Sequence, residues 1–163
     1  MNSIPSLFIV CPFCQIENLL KTTYGQDIFL MTAPSAVVKL SDEQRHELKE
    51  FFMRHQIKDI YLVNDVGCNF LAEAINDQSE FGLTCEKELR SLKQNITFDK
   101  ENSLEENIEL LAEENISKQL LNIMSKEMLK TEMEVLGIKA HGIITNKKLA
   151  TLKNCDKQNE YHI

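Results

Sequence analysis

SDEQRHELKEFFMRHQIKDIYLVNDVGC, residues 41–68, places a helix, a strand and a chemically loaded turn in succession. Ser41 followed by Gln44 forms a capping box, in which each side chain satisfies a backbone N–H that the first helical turn leaves open. Leu48, Phe51, Phe52 and His55 then recur at helical spacing, so residues 42–56 read as an amphipathic helix. Residues 60–63 follow as a short continuous apolar run with β-branched members, the pattern of a strand covered on both faces. Upstream, residues 7–10 and 28–31 are two further runs of that kind, and helical pattern follows the first of them. Strand, helix and strand over such a length form a right-handed crossover unit. This predicts an α/β domain with a central, mainly parallel sheet of four or five strands and helices on its faces.

Ligands of such sheets gather at the carboxyl ends of the strands. Cys11 falls just after the first run, and Asp65, Val66, Gly67 and Cys68 fall just after the third. Beyond them the chain reads as mostly helical, around residues 70–76 and 86–93, with a polar loop over 98–102. Ser103 with Glu106 repeats the capping signal, and Leu104, Ile108 and Leu111 line one face. Ile116, Leu120, Ile123, Met124, Met128 and Leu129 continue a long helix or a broken pair, and Gly137 suits a left-handed cap. Residues 138–145 read as the final strand. There is no internal repeat, and residues 1–163 are taken as one domain, a length that buries a core without disulfide staples.

Twenty-five acidic residues against 18 basic ones give a formal charge of -7, which disfavours a surface that tracks nucleic-acid phosphates. The apolar run at residues 7–10 is too short for a membrane span and lacks the basic flank of a signal peptide, so the expected location is cytoplasmic. Five cysteines without framework spacing fit a reducing compartment, where thiols stay free, bind metal or do redox work.

Cys11, Pro12, Phe13 and Cys14 admit three readings: a redox dithiol, half of a metal site, or two buried thiols. A strand, Cys-Pro-x-Cys and a helix is also how a thioredoxin-like site begins, where a helix N-terminus favours the thiolate. The turn at 65–68 and the later strands do not suit that fold. Cys85 and Cys155, without partner spacing, read as packing or surface residues. Asp65 on its own reads as a helix cap. His46, His55 and His162 carry no catalytic spacing, and Glu105, Glu106, Glu109, Glu113 and Glu114 read as a solvated helix face.

Taken in order, the pieces resemble the β-class carbonic anhydrases. That family ends its first strand in Cys-x-Asp-x-Arg, and the equivalent residues here run from Cys11 to Gln15. Its Gly-Asp-x-Phe strand and polar turn are similar to GQDIFLMTAPSAVV from Gly25, and its His-x-x-Cys is similar to NDVGC, with Asp65 in the histidine's place. Its late helix and closing His-Gly strand are similar to ENISKQLLNIM and GIKAHGIITNKKLATL, which puts His141 on the strand histidine.

The resemblance implies a zinc site held by Cys11, Asp65 and Cys68, with Cys14 offering a further thiolate from the same turn. Two thiolates and a carboxylate can hold zinc, but the exchange of imidazole for an anion leaves the site negative and weakens the metal as an acid. The family's Asp and Arg dyad falls on Phe13 and Gln15, which can neither accept that hydrogen bond nor carry that charge, and its next arginine falls near Thr32. No catalytic residue is therefore assigned, and normal carbon dioxide hydration is not expected. The alternatives are a thiol redox protein working through Cys11 and Cys14, and an atypical active hydratase. The resemblance also implies a homodimer, and it leaves the small-molecule ligand unassigned.

Overall fold

The computed structural model describes residues 4–78 and 81–155, so His162 lies outside the described residues. In chain order the elements are β1 (Ser6–Val10), α1 (Glu17–Tyr24), β2 (Phe29–Thr32), a single 3-10 turn (Pro34–Ala36), α2 (Asp42–His55) and β3 (Asp59–Asp65). They continue with α3 (Asn69–Ile75), α4 (Thr84–Lys93), α5 (Leu104–Ile123), α6 (Lys130–Leu136), β4 (Lys139–Asn146) and β5 (Thr151–Asn154). The sheet order is β2-β1-β3-β4-β5. The first four strands are parallel and β5 runs antiparallel to β4.

Strand β5 lies beyond the last strand expected from the sequence. Its TLKN has one half-buried residue among exposed ones, so no apolar run marks it. The capping box at Ser41 forms as read: its side chain accepts the Gln44 N–H while the Gln44 side chain accepts the Ser41 N–H. The long helical pattern near the end resolves into a pair. Helix α5 stops at Ile123, the Ser125 carbonyl accepts the N–H groups of Met128 and Lys130, and α6 starts at Lys130.

Alternation along β1 divides the core into two layers. Leu7 and Ile9 join Ile60 and Leu62 against Phe52 of α2 and Met133 of α6. Phe8 and Val10 join Val63 against Leu20, Leu71, Leu89 and Leu111 from the helices on the other face. On that second face Phe8, Tyr61 and His141 stand side by side in register across three parallel strands. Their rings stack at 4.6 and 4.8 Å, and His141 Nε2 pairs with Asp59 Oδ1 at 2.7 Å.

Helix α5 lies tightly against β4 at Gly142, where a Cβ would collide with the Ile116 side chain. Two carboxylates of the acidic run do structural duty, since Lys153 of β5 reaches Glu109 and Glu113 at 3.1 and 2.6 Å and so ties the last strand to α5. Expected as solvated, this face is in part an inter-element ion pair.

The chain leaves β1 to place β2 on one side and later returns to place β3 on the other. The carboxyl ends of β1 and β3 therefore flank the crevice that such a reversal of strand order opens.

Candidate metal centre

Both cysteine-bearing turns enter this crevice. After β1, Cys14 N–H donates to Cys11 O at 3.2 Å, closing a tight turn with Pro12 at its second position, where its fixed φ suits the geometry. Gln15 follows with φ 53, and α1 begins only at Glu17. The thiols thus sit in a turn ahead of the helix and not in its first turn.

After β3, the Asp65 carboxylate shapes the second turn. Its Oδ1 accepts the Gly67 N–H at 2.8 Å, and Cys68 N–H donates to Asp65 O at 2.9 Å. Gly67 is needed here because a Cβ would lie 2.8 Å from that same carboxylate oxygen. The other oxygen accepts the Thr145 hydroxyl at 2.7 Å and the Lys147 N–H at 2.9 Å. Asp65 is therefore a strand-end turn former, while Cys68 takes the N-cap position of α3.

Of the four residues singled out as ligands, the structure brings three together. The sulfurs of Cys11, Cys14 and Cys68 all lie within 4.8 Å of one another, and the three residues are 1%, 6% and 1% exposed. Among the described residues no carboxylate joins them. Asp65, the fourth residue of that set, stands apart from the three sulfurs, with both oxygens hydrogen-bonded to the Gly67 N–H, the Thr145 hydroxyl and the Lys147 N–H.

Packed thiols at this range share charge. Hydrogen bonds from Cys14 and then Cys68 draw the Cys11 thiol down to about 3. The same bond to Cys11 pushes Cys14 up, and it raises Cys68 to about 11. The metal-free centre is thus one thiolate solvated by two thiols. Cys85, in α4, is buried outside the cluster and is pushed up to about 12 by burial first and then by Glu86, Cys11 and Cys68.

Around the sulfurs lies a polar framework that the motif reading did not find. Ser35 is fully buried, and its Oγ lies 3.9 Å from Cys68 Sγ. Its carbonyl accepts Asn64 Nδ2 and Asn115 Nδ2, each at 2.8 Å, and Asn115 Nδ2 also donates to Asn64 Oδ1 at 2.8 Å. Farther along α5, Gln119 Oε1 accepts the Val38 N–H and Asn122 Nδ2 donates to the Val38 carbonyl. Asn115, Gln119 and Asn122 are spaced at four and three residues, a polar stripe on one helix face that marks the backbone it serves.

The dyad positions lie outward. Phe13 is 64% exposed with its ring edge-on to Phe70 at 5.6 Å, and Gln15 and Thr32 are exposed. Thr32, Ala33, Pro34 and Val37 line a cavity of about 640 Å³ together with Leu48 and Phe51 of α2. The turn at Pro34–Ala36 thus serves both the cavity and the thiols. His46 pairs with Glu50 on the surface, and His55 packs against Phe29 and Phe51.

No protein-family model and no curated protein sequence matches the chain. Solved structures do. β-Carbonic anhydrase CafA of Aspergillus fumigatus is similar at a TM-score of 0.72 and 23% identity, over 95% of this chain and 77% of that one. This chain has the β-carbonic anhydrase fold. A β-carbonic anhydrase of Sordaria macrospora, from a study of two tetrameric enzymes, is similar at 0.69 and 18% identity, over 94% and 81% of the two chains. The Coccomyxa β-carbonic anhydrase, solved in complex with acetazolamide, gives 0.71 and 15% identity over 94% and 72%. On this β-carbonic anhydrase fold the crevice beside β1 and β3 holds three sulfurs.

The donor set fits a thiophilic metal. Tetrahedral zinc–sulfur bonds of about 2.3 Å separate adjacent sulfurs by about 3.8 Å, a spacing within reach of thiols already this close. Thiolates select zinc and similarly soft ions over magnesium or calcium.

Proposed function

We propose that the protein is a divergent member of the β-carbonic anhydrase family that binds zinc through Cys11, Cys14 and Cys68 and does not hydrate carbon dioxide at the usual rate. The observation that carries this reading is the meeting of three buried sulfurs at the crevice between β1 and β3. Zinc there would supply positive charge to a pocket otherwise holding one thiolate. Three thiolates leave the centre with one net negative charge, which opposes the acidifying effect on which hydration at neutral pH relies.

This chain's own residues support the non-hydratase part. Phe13 offers no acceptor and Gln15 no charge, so the two cannot reproduce the Asp and Arg pair that orients the nucleophile. The working role is binding or regulation, or another reaction in the inherited pocket. Free thiols suit the reducing cytoplasm, and the tetrameric state of the Sordaria proteins favours self-association, with a homodimer as the minimal form.

Purification without added zinc, followed by metal analysis and a stopped-flow hydration assay, tests the proposal. The expected result is close to one zinc per chain with hydration near the uncatalysed background. Rapid hydration would establish the atypical hydratase instead. The close pair Cys11 and Cys14 favours one further reading: a reversible disulfide between them, formed by exchange with a small disulfide and with no metal bound, would make the protein a thiol redox protein.

A further inference from the structure

We propose that Ser35 is the positioning residue of the thiolate centre, donating hydrogen bonds to two of its three sulfurs and so setting metal affinity. The inference rests on the metal reading above and adds a residue to it.

Ser35 is 0% exposed, and Cys11 and Cys68 are each 1% exposed, so water does not solvate the sulfur charge from this side. Cys68 Sγ donates to Ser35 Oγ at 3.9 Å, and the Ser35 backbone N–H is among the groups that draw the Cys11 thiol down. Once Cys68 is a thiolate the hydroxyl is the donor, because an ionised sulfur only accepts. One residue thus presents two donors to two sulfurs from different strands. Lys147 serves the third corner, with Nζ 3.1 Å from the Cys14 carbonyl oxygen.

The conformation of Ser35 is costly and has been secured. Ser35 and Ala36 have φ of 52° and 56°, a left-handed pair without glycine. Such residues cost on the order of 1–3 kcal/mol each and persist where the surroundings over-determine them. Here the Ser35 carbonyl is pinned by the amides of Asn64 and Asn115, both fully buried, from β3 and α5. With its carbonyl held from behind, Ser35 turns its N–H and hydroxyl toward the thiols. Replacing such supporting groups typically lowers metal affinity by about 10–100-fold.

Cobalt(II), whose bonds to thiolate absorb in the near ultraviolet, is the probe. Hydrogen bonds to a thiolate lower the energy of its lone pairs and move sulfur-to-metal charge transfer to shorter wavelength. Ser35→Ala and Ser35→Gly both remove the hydroxyl and keep the N–H, and glycine adopts the left-handed φ without strain. Both variants are expected to bind cobalt at least about tenfold more weakly than the parent protein and to move the band to longer wavelength. The band position reads the sulfur environment of whatever fraction is folded and loaded, which a stability defect alone does not shift. Unchanged band and affinity in both variants would overturn the role of Ser35 while leaving the metal reading intact. Failure of the parent protein to take up cobalt or zinc would end both.

Discussion

Asp65 and Thr145 are joined at 2.7 Å, carboxylate to hydroxyl, across the ends of neighbouring strands β3 and β4. The same carboxylate holds the backbone of Gly67 and Lys147, so a residue at the position of a family zinc ligand works here as a structural bracket. Each hydrogen bond to a charged group contributes about 1.5–3 kcal/mol, and removal leaves buried donors unpaired. Asp65→Ala is expected to lower stability by about 3 kcal/mol or more in denaturant unfolding. A loss under about 1 kcal/mol would show that the bracket is dispensable.

The two ligand sets separate cleanly by substitution. Cys14→Ser should abolish stoichiometric zinc retention, since a neutral hydroxyl is a poor replacement for thiolate, whereas Asp65→Asn should keep one zinc per chain. The opposite pattern, metal kept without Cys14 and lost without the Asp65 charge, would restore the set of Cys11, Asp65 and Cys68.

The metal-free thiols make a signed prediction for pH. Cys11 is held at about 3 in the fold against an ordinary value of 9.0, so its contribution is full above pH 9 and drains away as pH falls toward 3. Cys14 and Cys68 are raised, so theirs is full below pH 9 and is lost as pH climbs, toward about 11 for Cys68. With chelator and reductant present, the stability of the parent protein relative to Cys11→Ala should grow from pH 5 to pH 9, the span between those values. Parallel pH curves for the two proteins would refute the shared thiolate.

Gly142→Ala tests the contact between α5 and β4, which carries Asn115 to the Ser35 turn. The added methyl would strike Ile116, and overpacking of a filled core costs about 1–3 kcal/mol. A shift of that size in unfolding free energy, with zinc affinity weakened alongside, is expected. A neutral substitution would mean that α5 moves aside freely.

The parallel sheet was legible because apolar runs marked its strands; β1 and β3 are covered on both faces as read, whereas β2 is an edge strand in which Leu30 and Thr32 are exposed. Both capping boxes, at Ser41 and Ser103, were legible for the same local reason. Strand β5 was not, since an exposed edge strand needs no apolar run. At the site, the strand ends pointed to Cys11 and to the Asp65–Cys68 turn alike, and the ligand set of Cys11, Asp65 and Cys68, with Cys14 as a further thiolate, came from the resemblance. Only the fold shows Thr145 and Lys147, some 80 residues away in sequence, both donating to Asp65 Oδ2. Ser35 stayed hidden because its importance arises from a left-handed backbone and two distant amides, neither of which a short motif records.

X-ray absorption at the zinc edge of the purified protein tests the central claim most directly. Three sulfur neighbours at about 2.3 Å are predicted, with at most one lighter donor completing the shell. Two sulfurs with two lighter donors, or no bound zinc at all, would contradict the account.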